Sequence, residues 1–205
     1  MTTARSGFGV RQREPHSARR LPSPITPNVT QMLARAEAVL AAPYHGVTTD
    51  GRVQPDLYSL QRTGVSTAPI IVAAETFLAG LDGVQRATAC FGLEDNAWGR
   101  WNNTHSFVMR HGLLLEDLDA VGRERALALV QASLSARGYT SARNVMRLNH
   151  TIGEITGSWD EYGEWVYWMS LFGTPRPDQP WGWQIDGHHL NLNCLVLGDQ
   201  VVMTP

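Results

Sequence analysis

Lysine is absent from this chain and cysteine is scarce. All 17 basic residues are arginine, and beyond the first 27 residues they are scattered among 19 acidic residues, which leaves a formal net charge of -2. No basic patch of the kind that binds nucleic acid is therefore present. The two cysteines, Cys90 and Cys194, lack CxxC spacing, which excludes a disulfide framework and a zinc ribbon.

Long hydrophobic runs are also missing. No segment approaches the roughly 18 apolar residues that a membrane-spanning helix needs, and the arginines near the N-terminus are not followed by the apolar stretch of a signal peptide. The sequence therefore predicts a soluble, cytoplasmic protein that binds neither membrane nor nucleic acid. The motifs GxSxG, GxxxxGK[ST] and GxGxxG behind a strand are absent too, which excludes several common enzyme classes.

A hydrophobic content of 43% in 205 residues is enough for one sizeable core. Residues 1–27 combine arginine, serine and proline without apolar periodicity, and we predict a disordered tail followed by a single α+β domain over 28–205. Turn signals between residues 45 and 66 favour a hairpin or an ordered loop. Helical periodicity predicts helices over 29–40 and from about 67 to 81. It also predicts a helix from 119 that ends at Gly138, followed by another that ends at Gly157. Short helical pieces are predicted over 83–103.

The last quarter changes to a strand pattern. Aromatic and β-branched residues over 164–173, 181–198 and 199–205 predict three strands of an antiparallel meander, on which the N-terminal helical layer packs. The final apolar strand leaves an uncovered edge, so we expect the sheet to be incomplete and the chain to be the front part of a longer protein. The alternative is an edge that Pro205 itself protects.

The segment WGWQIDGHHLNLN, predicted to be one continuous strand, carries the clearest candidate site. Alternation of side chains places Asp186 with His188 on one face and His189 with Asn191 and Asn193 on the other. His189 suits a general base or a metal ligand, the two asparagines suit substrate contacts, and Asp186 suits a partner for Nδ1 of His188. A plain solvated strand face shows the same alternation.

Two further clusters add weaker candidates. Arg147, His150 and Glu154 fall at i, i+3 and i+7 of a predicted helix and share one face, so Glu154 is a candidate acid or base and Arg147 a candidate substrate contact. The alternative is a surface ion pair worth about 0.3–0.5 kcal/mol. The spacing between His105 and His111 is not that of a metal site. We instead consider His105 a third metal ligand beside His188 and His189.

Tryptophans crowd the strands around the histidine motif. Flat rings beside polar groups stack on sugars, so Trp183 is a candidate substrate contact. The alternative is that Trp165, Trp168, Trp181 and Trp183 belong mostly to the core.

Several long motifs occur together in one order, among them WNNTHSFVMRHGLLLEDL, RLNHTIGEITG and PWGWQIDGHHLNLNCLVLGDQVVMTP. In these the chain resembles, from about Tyr44 to its end, the bacterial and fungal family called domain of unknown function 3500. The resemblance implies that relatives continue past this point with another histidine-, arginine- and asparagine-rich segment, which would complete the site. It also implies a glutamate where this chain has His150, while Glu154 remains available.

These residues together predict a metal-dependent enzyme, a hydrolase acting on a small polar or sugar-like molecule. The expected cofactor is a divalent metal ion held by His188, His189 and His105. The alternative is a non-catalytic saccharide-binding module in which the histidines only satisfy buried hydrogen bonds.

Overall fold

The computed structural model describes residues 25–42, 52, 54, 64–108 and 110–204. The predicted tail over 1–27 lies outside these residues except at its last three positions, and the predicted hairpin between residues 45 and 66 lies almost wholly outside them. Among the helices of the described part, none is both long and apolar enough to cross a membrane.

In the part of the chain that the structure describes, five α-helices precede most of the sheet. They are α1 Pro27–Ala41, α2 Ala68–Ala79, α3 Gly83–Ala89, α4 Ala120–Ser133 and α5 Ala136–Thr156. The helix predicted to run from 119 to Gly138 is wrong at its end, because the Ser135 hydroxyl accepts from the Gly138 amide and starts α5 there. Gly157, at φ 72°, ends α5 as predicted.

Within the described residues, six strands form one sheet. They are β1 Cys90–Phe91, β2 Leu113–Leu114, β3 Tyr167–Phe172, β4 Trp181–Gly187, β5 Leu190–Leu197 and β6 Gln200–Thr204. Their order is β1-β3-β4-β5-β6, with β2 also pairing with β3. Only β1 pairs in parallel. The predicted α+β class and the antiparallel meander, β3 to β6, are confirmed.

The prediction of one continuous strand over 181–198 is wrong. Gly187 pairs with Leu190, so His188 and His189 form a two-residue turn between β4 and β5. His189 has φ 57°, the left-handed conformation that this tight turn requires. Because the turn interrupts the alternation, Asp186 shares a face with Asn191, its cross-strand neighbour, and not with His188.

The two faces of the sheet differ in chemistry. One face is apolar and packs against α2, α4 and α5 in a core that includes Phe77, Leu129, Met146, Trp181, Trp183 and Ile185. The other face carries Ser170, Gln184, Asp186, Asn191 and Asn193. The segment after β1 crosses this polar face: Trp98 stacks on Phe172 with ring centroids 3.8 Å apart, and its carbonyl accepts from Gln184 Nε2. Both faces of β4 are therefore buried.

Candidate functional site

Three histidines meet at the end of the sheet where β4 turns into β5. His188 and His189 form the turn, and His105 comes from the segment that crosses the polar face. We call these three side chains, with Asn149 and Glu161, the imidazole cluster. The His188 and His189 rings have centroids 4.0 Å apart, and the pKa of His188 responds to both other histidines.

His188 is buried and held at one ring nitrogen by α5. The amide nitrogen of Asn149 donates to the Gly163 carbonyl at 2.9 Å, so its Oδ1 is the atom that faces His188 Nδ1, at 3.0 Å. Since Oδ1 can only accept, this contact assigns the proton to Nδ1 and leaves Nε2 with a bare lone pair. Burial, then the neighbouring His189 and His105, lowers the pKa of His188 to about 4, which keeps the ring neutral at pH 7.

His105 is held at Nδ1 as well, by the carboxylate of Glu161. The His105 side chain is 37% exposed and that of Glu161 only 12%, so the carboxylate is more deeply buried than the ring it holds. A carboxylate at Nδ1 fixes the tautomer and stabilises the positive charge that forms when Nε2 takes up a proton. This pair has the arrangement of a general base.

The segment that carries His105 is tied to the turn by backbone contacts. The His189 amide donates to the Asn103 carbonyl at 2.9 Å, and the Asn102 amide donates to Asp186 at 3.4 Å. The Asn102 side chain in turn accepts from the backbone amides of Thr104 and His105. The position of His105 relative to His188 is thus set by the β4–β5 turn itself.

Tyr162 closes the cluster on a third side. Its ring meets that of His188 edge-on, with centroids 4.9 Å apart. Burial raises the pKa of Tyr162, and the neighbouring Glu161 raises it further. Tyr162 therefore presents a protonated phenol beside the His188 imidazole.

His189 occupies a conformation that costs an L-residue about 1 kcal/mol and that glycine adopts freely. Its side chain is exposed. We expect His189→Gly to raise the free energy of unfolding by up to about 1 kcal/mol, measured by urea denaturation. The control is His150→Gly. Because His150 lies inside α5, where glycine is unfavourable, this change should destabilise the protein by about 1 kcal/mol. A loss of stability in the turn variant would show that the ring contacts outweigh the backbone strain.

The polar strand residues predicted beside His188 and His189 lie elsewhere. Asp186, Asn191 and Asn193 face the polar side of the sheet beneath the crossing segment, where Asp186 and Asn191 are buried and Asn193 is half-buried. The predicted contact of Asp186 with His188 Nδ1 is wrong, because Asn149 occupies that nitrogen. Burial raises the pKa of Asp186 to about 8.

The predicted helix residues face away from the cluster. His150 and Glu154 form an i, i+4 pair with Nε2 and Oε1 3.6 Å apart, as in the alternative interpretation of a surface ion pair. Arg147 is exposed. The α5 residue that reaches the cluster is Asn149. It was missed, although it stands among the buried residues Ala142, Met146 and Gly153 at helical spacing, and a polar residue on such a face is a usable signal.

Trp183, predicted as a substrate contact, lies in the core. It is fully buried, as is Trp181, and its Nε1 donates to Ser133 Oγ at 3.1 Å. The stacking platform that a saccharide-binding module needs is therefore not formed by these rings.

The predicted metal centre does not fit the side chains as they lie. Within the part of the chain that the structure describes, no three histidine, cysteine, aspartate or glutamate side chains are arranged to hold a metal ion. Two of the three predicted ligands, His105 and His188, use Nδ1 in contacts with Glu161 and Asn149, which leaves Nε2 of each ring as the nitrogen for a ligand.

Comparison with known proteins identifies the family. Residues 63–205, more than half of the chain, match the family model described as "Protein of unknown function (DUF3500)". The chain belongs to this family, as its motifs predicted, although the match begins at residue 63 and not near Tyr44. No curated protein and no solved structure matches the chain.

Proposed function

We propose that the imidazole cluster is the acid–base centre of a hydrolase that acts on a small polar substrate. One observation carries the proposal: two neighbouring imidazoles, His105 and His188, are each held at Nδ1 by an oxygen acceptor. Ring nitrogens held in this way are typical of general bases and of metal ligands, because the contact fixes the tautomer and aims Nε2.

His105 serves as the general base. Its Nε2 removes a proton from a water molecule, whose oxygen forms a bond to the electrophilic carbon of the substrate. The proton then moves from Nε2 to the leaving group as the bond to that group breaks. Glu161 stabilises the imidazolium in between, and its low exposure strengthens this interaction because little solvent screens it.

His188 binds and orients the substrate in this scheme. With a pKa of about 4, its ring stays neutral, so Nε2 accepts a hydrogen bond from a substrate hydroxyl or amide. The exposed ring of His189 lies next to it and borders the binding surface.

The arrangement of metal-ligating side chains decides whether a metal ion is included in this mechanism. Because the described residues assemble no three-ligand site, each step above uses the chain's own side chains. Elemental analysis of the purified protein tests the predicted divalent metal separately from the assays below.

The test is a hydrolysis assay on small chromogenic esters, amides and glycosides. We expect the wild-type chain to hydrolyse one of these classes and His105→Asn to lower kcat/KM by about 10²- to 10⁴-fold, the usual contribution of a general base. The matched control is His150→Asn, since His150 is also a part-exposed histidine paired with a glutamate but lies outside the cluster. Wild-type protein inactive on all three classes, or equal rates in the two variants, would contradict the proposal.

A further inference from the structure

Three buried oxygen atoms on the polar face of the sheet lack a hydrogen-bond donor among the described residues. They are Gln184 Oε1, Asp186 Oδ2 and Asn191 Oδ1. Their residues are 1%, 1% and 6% exposed. Asp186 and Asn191 are directly opposite each other on β4 and β5, and Gln184 is the next residue along β4 on the same face. We call these three side chains the acceptor patch.

The amide groups of the acceptor patch cannot be reversed to supply donors. Asn191 Nδ2 already donates to the Gly187 carbonyl at 2.9 Å. Gln184 Nε2 donates to the Trp98 carbonyl and to Asn193 Oδ1. The two amide oxygens left over, Gln184 Oε1 and Asn191 Oδ1, can therefore only accept, and a buried polar atom without a partner costs about 1–3 kcal/mol.

Asp186 adds a carboxylate to this group without a basic partner. Its Oδ1 accepts from the Asn102 amide, and the Gly187 amide also stabilises the carboxylate. No arginine or histidine forms an ion pair with it among the described residues. Trp168 is its neighbour on β3. The Ser170 hydroxyl, opposite Gln184 on β3, and the His111 ring beside Gln184 are also buried without a well-formed hydrogen bond. Burial lowers the pKa of His111 to about 4, so its ring is neutral. Buried carboxylates are stable when they are paired with a cation or protonated.

We propose that the acceptor patch binds a small monovalent cation of the sodium or potassium class. Carboxylate and carboxamide oxygens are ligands for hard cations. One positive charge neutralises the one carboxylate, so the pair buries no net charge. The cation is also linked to the imidazole cluster, because Asp186 holds Asn102 and the Asn102 side chain holds the His105 amide.

A proton on Asp186 is the rival occupant, and the variant Asp186→Asn separates the two. A protonated Asp186 donates from Oδ2 to Asn191, and the amide of asparagine reproduces that contact in the same shape. Asparagine cannot reproduce the charge that holds a cation. The matched control is Asp178→Asn, because Asp178 is exposed and lies in the loop between β3 and β4.

The experiment is thermal unfolding of the whole chain in sodium, potassium or choline chloride at constant ionic strength, with choline as the ion too large for the patch. We expect sodium or potassium to raise the Tm of the wild type. The increase should be about 3–5 °C for each tenfold rise in the concentration of the ion above its dissociation constant. Asp178→Asn should respond equally, and Asp186→Asn should lose the response.

Two outcomes overturn the proposal. One is a wild-type Tm that is the same in all three salts, a result that decides the question even if Asp186→Asn does not fold. The other is an equal response in wild type and Asp186→Asn, which would place the ion elsewhere. Because the readout is stability, neither outcome bears on the proposed hydrolase activity.

Discussion

Replacing Trp183 with alanine is expected to lower the free energy of unfolding by about 3–5 kcal/mol. The side chain is fully buried in the core between the sheet and α4, where it packs beside Cys194 and donates to Ser133. Its removal leaves a large cavity and one hydrogen bond fewer at the Ser133 hydroxyl, which still donates to the Leu129 carbonyl. Urea denaturation measures the loss.

The control for this prediction is Trp101→Ala. Trp101 is 39% exposed, so we expect its replacement to change stability by no more than about 0.5 kcal/mol. A stable Trp183→Ala protein that had only lost affinity for a saccharide would instead support the binding-module interpretation.

Lowering the pH from 6.5 to 4 is expected to remove stability that His188 contributes. In the unfolded chain this residue takes up a proton near pH 6.5, whereas in the folded protein its pKa is about 4. Its contribution is therefore complete above pH 6.5 and is lost as the pH falls to 4, a change on the order of 3 kcal/mol. The measurement is the free energy of unfolding at pH 7 and pH 4.5 for the wild type and His188→Gln.

The comparison with His188→Gln cancels the other groups that titrate in this range. The lowered pKa of His111 acts in the same direction as that of His188, and the raised pKa of Asp186 acts in the opposite direction. Both remain in the variant. Identical pH dependence in the two proteins would mean that the native ring accepts a proton as readily as the unfolded one.

The sequence predicted the architecture well because the architecture depends on local signals. Apolar periodicity and capping residues marked the helices, and the aromatic, β-branched segments marked the meander. The turn between β4 and β5 was missed because His-His is not one of the glycine- or asparagine-containing pairs typical of two-residue turns. The polar and apolar alternation also continues on both sides of it.

That one missed turn changed the predicted site. With a continuous strand, Asp186 shares a face with His188, whereas the turn places it beside Asn191 on the polar side of the sheet. The actual partners of the imidazoles, Asn149 and Glu161, lie 39 and 56 residues away along the chain. Contacts between such distant residues leave no periodic pattern in a single sequence. The packing of α5 brings Asn149 to the turn, and the segment that follows α5 brings Glu161 to His105.

The most direct test of the central claim is the protonation of the His188 ring in ¹⁵N NMR spectra of the labelled protein near pH 7. We predict that Nδ1 carries the proton and that Nε2 has the chemical shift of an unprotonated nitrogen, since Asn149 Oδ1 can only accept. A proton on Nε2 would contradict the account, because this nitrogen could then no longer accept a hydrogen bond from a substrate.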